Sequence, residues 1–212
     1  KKRIRKRIRN ISPHSKWSLI GMADNIIGFE NHLEDIRNKR HWWTKIDFDM
    51  DWNAMMSLVD NHPESKYNWV SEKKRLGLNE FHRRGSAPKF AKDIFEEMYN
   101  LFVRNAPQKE KYEKGKAQIT NIAFCGFGKY TGSYPRHKDG MDVFLVQVLG
   151  DCPIRVGYTE ERTEQDEDRV MKPGDCLWIP RGTYHQLTPK ESRVTFSFGF
   201  ESDVDIDPAL FL

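Results

Sequence analysis

The amino-acid sequence predicts a mainly β chain with N-terminal helices, an α+β arrangement whose core is a β-barrel or double-sheet jelly roll. Two observations predict it. Beyond Gly115 the chain breaks into short runs rich in β-branched and aromatic residues: "QITNIAFCGF", "MDVFLVQVLG", "IRVGYT", "DCLWIP" and "SRVTFSFGF". Glycine, proline and charged turns separate them, a spacing that suits a sandwich or small barrel better than alternating βαβ units. Ahead of these runs, between about Trp17 and Asn105, apolar residues recur instead at helical intervals.

The chain opens on "KKRIRKRIR", seven basic residues in nine positions, which defines a basic arm over residues 1–16. Residues 17–212 are expected to form a single domain, with a mainly helical part over 17–115 and the β core over 116–212. "ENHLEDIRNKR" is a helix candidate. "DFDMDWNAMMSLVDNHP" is a second, started by an aspartate and stopped before Pro63. In "SAPKFAKDIFEEMYNLFVRN" the residues Phe90, Ile94, Met98, Leu101 and Phe102 fall on one stripe, and Pro88 suits the first turn of the helix. That stripe needs a surface to cover, and the β core supplies one. The acidic stretch "EERTEQDED" between two β runs reads as an exposed loop.

Composition narrows the function classes. Of the 212 residues 38% are hydrophobic and 31% charged, and no apolar run approaches the roughly 20 residues that span a bilayer, so no membrane partner is expected. The net charge is +4, yet removing the seven basic residues of the arm leaves the remainder at −3. The arm can neutralise phosphates in a salt-dependent, sequence-independent way; a solvated terminal extension is the alternative. It lacks the apolar centre of a secretion signal. Cys125, Cys152 and Cys176 are odd in number and show no CxxC spacing, which disfavours both a disulfide framework and a thiolate zinc site. Reduced cysteines and a cytoplasmic setting are the expectation.

The chemistry sits in "PRHKDGMDVFLVQVLG". Residues i and i+2 of an extended strand point to one side, so His137 and Asp139 present an imidazole nitrogen and a carboxylate oxygen toward a common point. A third ligand comes from "PGDCLWIPRGTYHQ", where a Pro-Gly-Asp turn, a buried strand and a Pro-Arg-Gly turn lead to His185. Two histidines and one carboxylate form the facial triad of non-haem Fe(II) oxygenases, which leaves coordination positions open. His14, His32, His41, His62 and His82 have no comparable pairing and are read as structural or surface residues.

Together with "FSFGF", these segments resemble the JmjC-type cupin oxygenases, in particular the branch of ribosomal oxygenases and peptide hydroxylases. The order H-x-D, apolar strand with glutamine then glycine, P-G-D turn, I-P-x-G-x-x-H and closing S-x-G-F strand is present over about Ile119 to Phe200. The resemblance implies a double-stranded β-helix and an Fe(II)- and 2-oxoglutarate-dependent dioxygenase that consumes O2, hydroxylates a C–H bond and releases succinate and CO2. His137, Asp139 and His185 are then its metal ligands and catalytic residues. The implied substrate is an amino-acid side chain in a peptide or protein. A ribosome-associated target suits both the resemblance and the basic arm, and the arm also admits nucleic acid as a partner.

One position departs from the pattern. Many relatives anchor the far carboxylate of 2-oxoglutarate with a basic residue on the strand after the glycine, where this chain has Cys152. Arg155 alternates to the other side of that strand. Arg193 and Thr195, on one side of the closing strand, are the replacement candidates, since other 2-oxoglutarate oxygenases use an R-x-S or R-x-T pair there; a surface arginine is the other reading. The departure keeps alive a metallo-cupin with another ligand or co-substrate; separately, the same iron chemistry on the same barrel serves nucleic-acid bases and small metabolites, which remain alternative substrates. Trp178, Phe144, Phe196 and Phe198 are expected in the barrel core, and Trp42 and Trp43 between helix and sheet. Lys129, Tyr130 and Tyr134 lie near the entrance to the H-x-D strand, while Arg136 and Lys138, on the opposite side from the ligands, are expected to be solvated.

Overall fold

The structure, a computed structural model, describes residues 26–61, 75–77, 86–101, 119–127, 129 and 133–200. The basic arm, His14, His62, His82, Phe102 and Tyr130 lie outside the described residues. In chain order the elements are a 3₁₀ turn Phe29–His32, α1 Leu33–Arg37, β1 Trp42–Lys45, α2 Trp52–Asn61, β2 Arg75–Gly77, α3 Lys89–Tyr99, β3 Ile119–Phe127, β4 His137–Lys138, β5 Asp142–Leu149, β6 Cys152–Gly157, β7 Glu167–Met171, β8 Asp175–Ile179, β9 Tyr184–Leu187 and β10 Ser192–Phe200. They build a six-stranded sheet in the order β1-β8-β5-β10-β3-β2 and a four-stranded sheet in the order β4-β9-β6-β7. The described strand pairings are antiparallel. The architecture is a double-stranded β-helix with helices on one outer side, mainly β as expected. The N-terminal part expected to be mainly helical also lends β1 and β2 to the larger sheet.

Alternation along the strands of the larger sheet sorts its side chains into two cores. Val143, Leu145, Leu177 and Ile179 meet Ile154, Val156 and Met171 of the smaller sheet inside the barrel. Phe144, Val146, Trp178, Phe196 and Phe198 turn the other way and pack under the helices with Phe29, Trp42, Phe90, Ile94 and Met98. Phe144, Trp178, Phe196 and Phe198 are thus buried, but outside the barrel rather than in its core. The period-2 pattern could not tell the two sides apart because both are covered.

The helical layer is fixed by specific contacts. Asp51 accepts the Ala54 N–H at 2.7 Å and starts α2. The predicted stripe of α3 buries Phe90, Ile94 and Met98, and the Phe90 ring stacks 5.4 Å from that of Phe196. On the same helix the Glu97 carboxylate accepts the N–H groups of Ile27, Gly28 and Phe29 at 3.0, 2.7 and 3.1 Å. Burial pushes the Glu97 pKa above its ordinary value despite these three donors. Gly28 adopts the left-handed conformation that brings the three N–H groups together, with φ 70°.

Within "HWWTK" the residues Trp42–Lys45 form β1, an edge strand with side chains on both sides of the sheet. Trp42 is buried under the helical layer, stacked on His32 at 3.8 Å. His41 and Trp43 reach instead to β7, the edge of the smaller sheet. His41 Nε2 lies 2.7 Å from Glu167 Oε2, and the Arg169 guanidinium lies 4.3 Å from the centre of the Trp43 ring. A hydrogen bond and a cation–π contact, two residues apart along both chain segments, therefore close this side of the barrel.

Candidate metal centre

β4 pairs with β9 so that His137 sits directly opposite His185. Directly opposed residues share a side of the sheet, and the other β9 neighbour of His185 is Val156, part of the barrel core. Both imidazoles therefore point inward, and Asp139, two residues after His137, joins them. His137 Nε2 lies 3.8 Å from Asp139 Oδ1 and His185 Nε2 lies 3.5 Å from Asp139 Oδ2. The three ligand atoms fall within 4.8 Å of one another, and among the described residues this is the one such His/Cys/Asp/Glu cluster.

The turn that delivers His185 is held at several points. Gly182, at φ 84°, donates its N–H to the Asp139 carbonyl at 3.0 Å, so the Pro-Arg-Gly turn is tied to the backbone of Asp139. Asp142 accepts the Arg181 N–H at 2.7 Å from the other side. At the preceding turn, Asp175 accepts the Lys172 N–H and Gly174 donates to the Gln147 carbonyl, which sets β8 against β5.

Whether these residues suit a metal is decided by the far nitrogen of each ring. His137 Nδ1 lies 2.8 Å from the Pro135 carbonyl oxygen, and His185 Nδ1 lies 3.1 Å from that of Thr183. A carbonyl only accepts, so both Nδ1 atoms carry a proton, and each Nε2, which faces Asp139, is the nitrogen left available to a metal. Burial and the neighbouring His137 hold the His185 pKa below its ordinary value, which keeps that ring neutral. Two imidazoles oriented through Nδ1 and a carboxylate, converging on one point, are a fit for a divalent transition metal. His185 is buried, whereas His137 and Asp139 keep about a third of their side-chain surface exposed, so the centre opens on one side.

A polar patch inside the barrel adjoins this centre. Thr195 pairs across β10 with Gln147 on one side and Phe124 on the other. The Phe124 ring packs edge-on against Tyr134, whose ring lies 5.4 Å from that of His137. The Thr195 hydroxyl donates to Gln147 Oε1 at 2.7 Å, and Gln147 Nε2 donates to the carbonyls of Leu149 and Gly150. Arg193 is buried at 2% exposure, opposite Gly126, which has no side chain to exclude it, and its Nη1 donates to the Phe124 carbonyl at 3.1 Å. It is not a surface arginine. Burial lowers its pKa, while the thiols of Cys152 and Cys125 act on its charge in the opposite sense.

Cys152 is on the inner side of β6 with Ile154 and Val156, and burial pushes its thiol up to about 11. It is neutral and carries no charge to anchor an anion. Arg155 points outward and forms a bidentate pair with Asp168. A shallow groove on this outer side is lined by Arg155, Arg162, Asp168, Gln186 and Thr188, but its arginines are engaged, Arg162 with Gln186 and Arg169 with Trp43.

Two expectations change at this site. Arg136 is not solvated: its side chain is 9% exposed and pairs with Asp166 at 3.0 Å, so the acidic loop contributes a buried carboxylate. Glu167 and Asp168, read as the end of that loop, open β7. His32 and His41 are structural, as the ring stack on Trp42 and the contact with Glu167 demonstrate. Gln147 bore a readable signal, a polar residue inside an apolar run. Arg136 bore none, because its partner is thirty positions away in sequence.

Comparison with known proteins agrees with this geometry. The family model for the JmjC domain matches residues 104–205. The chain is 31% identical over 103 residues to ribosomal oxygenase 2 of Mus musculus, a match covering 37% of this chain and 22% of that protein. It is 38% identical over 84 residues to the probable ribosomal oxygenase of Haemophilus influenzae, covering 32% of this chain and 21% of that one. The matches thus span about a fifth of the length of these curated relatives. Among solved structures, the Escherichia coli ribosomal oxygenase YcfD in complex with cobalt and succinic acid has a TM-score of 0.56 and 20% identity, over 84% of this chain and 52% of that chain. Its complex with cobalt and 2-oxoglutarate gives 0.55 over the same shares. At this identity the likeness is one of fold. Residues 104–205 thus resemble a JmjC domain, and the double-stranded β-helix is similar in fold to that of the ribosomal oxygenase YcfD.

Proposed function

We propose that this chain is an Fe(II)- and 2-oxoglutarate-dependent oxygenase that hydroxylates an amino-acid side chain of a protein, with a ribosomal protein as the first class to test. The observation that carries the reading is the convergence of His137, Asp139 and His185, with each Nδ1 tied to a backbone carbonyl and each Nε2 facing the carboxylate. The cobalt and 2-oxoglutarate held by YcfD, and the names of the curated relatives, support it. When bound, the iron supplies the activation of O2 that oxidises a C–H bond while 2-oxoglutarate leaves as succinate and CO2.

The protein's own part is orientation and exclusion of water. His137, Asp139 and His185 hold the metal from one side. Arg193 is assigned the far carboxylate of 2-oxoglutarate through charge-assisted hydrogen bonds, and Thr195 adds the hydroxyl that here donates to Gln147. The apolar half of the barrel, Val143, Leu145, Ile154, Val156 and Leu177, keeps water from the site. The half-exposed side of His137 and Asp139 is where a polypeptide reaches it. In this reading residues 17–212 act as one oxygenase domain, the basic arm 1–16 approaches an anionic partner such as RNA, and the setting is the reducing cytoplasm. Among the described residues no helix is long and apolar enough to cross a membrane.

Cys152 favours a second reading, a metallo-cupin with another acid or none in place of 2-oxoglutarate. The test uses the purified chain with Fe(II) under anaerobic conditions. A weak visible charge-transfer band on adding 2-oxoglutarate, then succinate formation on admitting air, is the expected result. Metal binding without either signal overturns the 2-oxoglutarate assignment and leaves the second reading. Mass spectrometry of candidate ribosomal proteins for the gain of one oxygen atom, with and without the enzyme, tests the substrate.

A further inference from the structure

We propose that the buried Arg136–Asp166 pair is a positioning device for the metal centre, holding the ligand-bearing β4 segment in place from its outer side. This rests on the reading of His137, Asp139 and His185 as metal ligands. β4 has two residues and two cross-strand partners, His185 and Tyr184, too little pairing to fix the direction of a side chain by itself. His137 and Asp139 point inward from this segment, and Arg136, immediately before it, points outward into the loop between β6 and β7.

There the guanidinium makes one ion pair and donates hydrogen bonds from Nε and Nη2. Nη1 pairs with Asp166 Oδ2 at 3.0 Å, Nη2 donates to the Thr159 carbonyl at 2.8 Å, and Nε donates to the Glu160 carbonyl at 3.0 Å. The two partners are 9% and 2% exposed. A third chain segment is shaped around them. A Cβ on Gly157 would lie 2.1 Å from Asp166 Oδ1 and 2.7 Å from Arg136 Nη2, so the space of a side chain is given over to the pair. The adjacent β6 residue, Val156, is the cross-strand partner of His185. Arg136 thus links the segment bearing two ligands to the strand beside the third. A buried ion pair of this kind, with the guanidinium also hydrogen-bonded to two carbonyls, costs desolvation and favours one arrangement over its neighbours, which is the property a ligand support requires.

The test is Co(II) binding to the metal-free protein, read from the visible absorption of the bound ion, with thermal unfolding of each metal-free variant alongside. Asp166→Asn removes the charge with little change of shape. Arg136→Lys keeps the charge without the fork, and Gly157→Ala crowds the pair from a third segment. Each is expected to weaken Co(II) binding on the order of 10- to 100-fold, the usual cost of losing a ligand's outer support, and to change the visible band. Wild-type affinity and band in Asp166→Asn and Arg136→Lys overturn the proposal, as does weakened binding with an unchanged band that merely tracks lower thermal stability. If Arg136→Lys does not fold, Asp166→Asn carries the comparison. Failure of the wild-type protein to bind Co(II) overturns the metal reading itself, a result distinguishable from failure of the pair alone.

Discussion

Replacing Arg193 by methionine separates co-substrate binding from stability. The side chain is 2% exposed, and burial already works against its charge. In the proposed complex the guanidinium faces the far carboxylate of 2-oxoglutarate in a water-poor interior. Removing one partner of such a hydrogen-bonded charge pair costs about 2–5 kcal/mol. At about 1.4 kcal/mol per decade, the Michaelis constant for 2-oxoglutarate is expected to rise roughly 30- to 4000-fold. Stability should move little. Methionine approximates the volume of the arginine stem and removes a buried charge, a relief that offsets the loss of the bond to the Phe124 carbonyl, itself worth about 1.5–3 kcal/mol. The assay is succinate formation against 2-oxoglutarate concentration at saturating iron, with chemical denaturation and metal binding measured on the same samples. A Michaelis constant within threefold of wild type, in a folded variant that binds iron normally, refutes the assignment. The companion variant Cys152→Lys/Arg193→Met returns the charge to the β6 position and is expected to recover part of the lost affinity.

Three further outcomes follow from particular contacts. His185→Ala and Asp139→Ala each remove one of the three converging side chains proposed as ligands and are expected to abolish stoichiometric Co(II) binding in calorimetric titration, while circular dichroism stays that of a β protein. Glu97→Ala leaves three buried N–H groups without their acceptor and should cost about 3 kcal/mol in urea denaturation, at about 1 kcal/mol per bond. Because burial raises the Glu97 pKa, its contribution is fully present below the ordinary carboxylate range and is lost as pH rises through the raised value; Glu97→Gln should flatten that part of the stability–pH curve. Gly150→Ala places a Cβ 2.1 Å from the Ser192 carbonyl oxygen at φ 68°, and the backbone conformation alone should cost ~1–3 kcal/mol of stability by the same denaturation assay.

The sequence was most legible where a local pattern and a global need coincide. The runs that became β5, β8 and β10 are near-continuous stretches of β-branched, aromatic and other apolar residues between glycine and proline turns, and α3 carries a stripe that only a sheet could cover. The H-x-D pair and His185 were legible because strand alternation fixes where i and i+2 point. What escaped was information held between distant segments. β7 hides in an acidic run because it is an edge strand, so Glu167 can serve His41 and Asp168 can serve Arg155 while both remain near water. β1 reads as a tryptophan-rich helix partner because pairing with β8, more than a hundred residues later, is what makes it a strand. Arg136 was misplaced for a related reason: alternation gave its side correctly, but only the fold supplies a buried carboxylate on that side.

The inner surface of the barrel also bears on how a charge can change strands without changing the chemistry it serves. β6 and β10 belong to facing sheets, so residues from either can enter the same interior space. A basic residue at 152 and an arginine at 193 would place two cations in one low-dielectric volume, each raising the cost of the other. With cysteine at 152 that conflict disappears: the thiol is buried and neutral, and small enough to share the interior with the guanidinium whose charge it senses. Gly126, opposite Arg193 on β3, provides space from the other neighbour. Cys152, Gly126 and Arg193 are therefore best understood as one arrangement. In the proposed enzyme the apparent loss at Cys152 is the condition that lets Arg193 point inward, and a second cation introduced at 152 with Arg193 retained should be tolerated poorly.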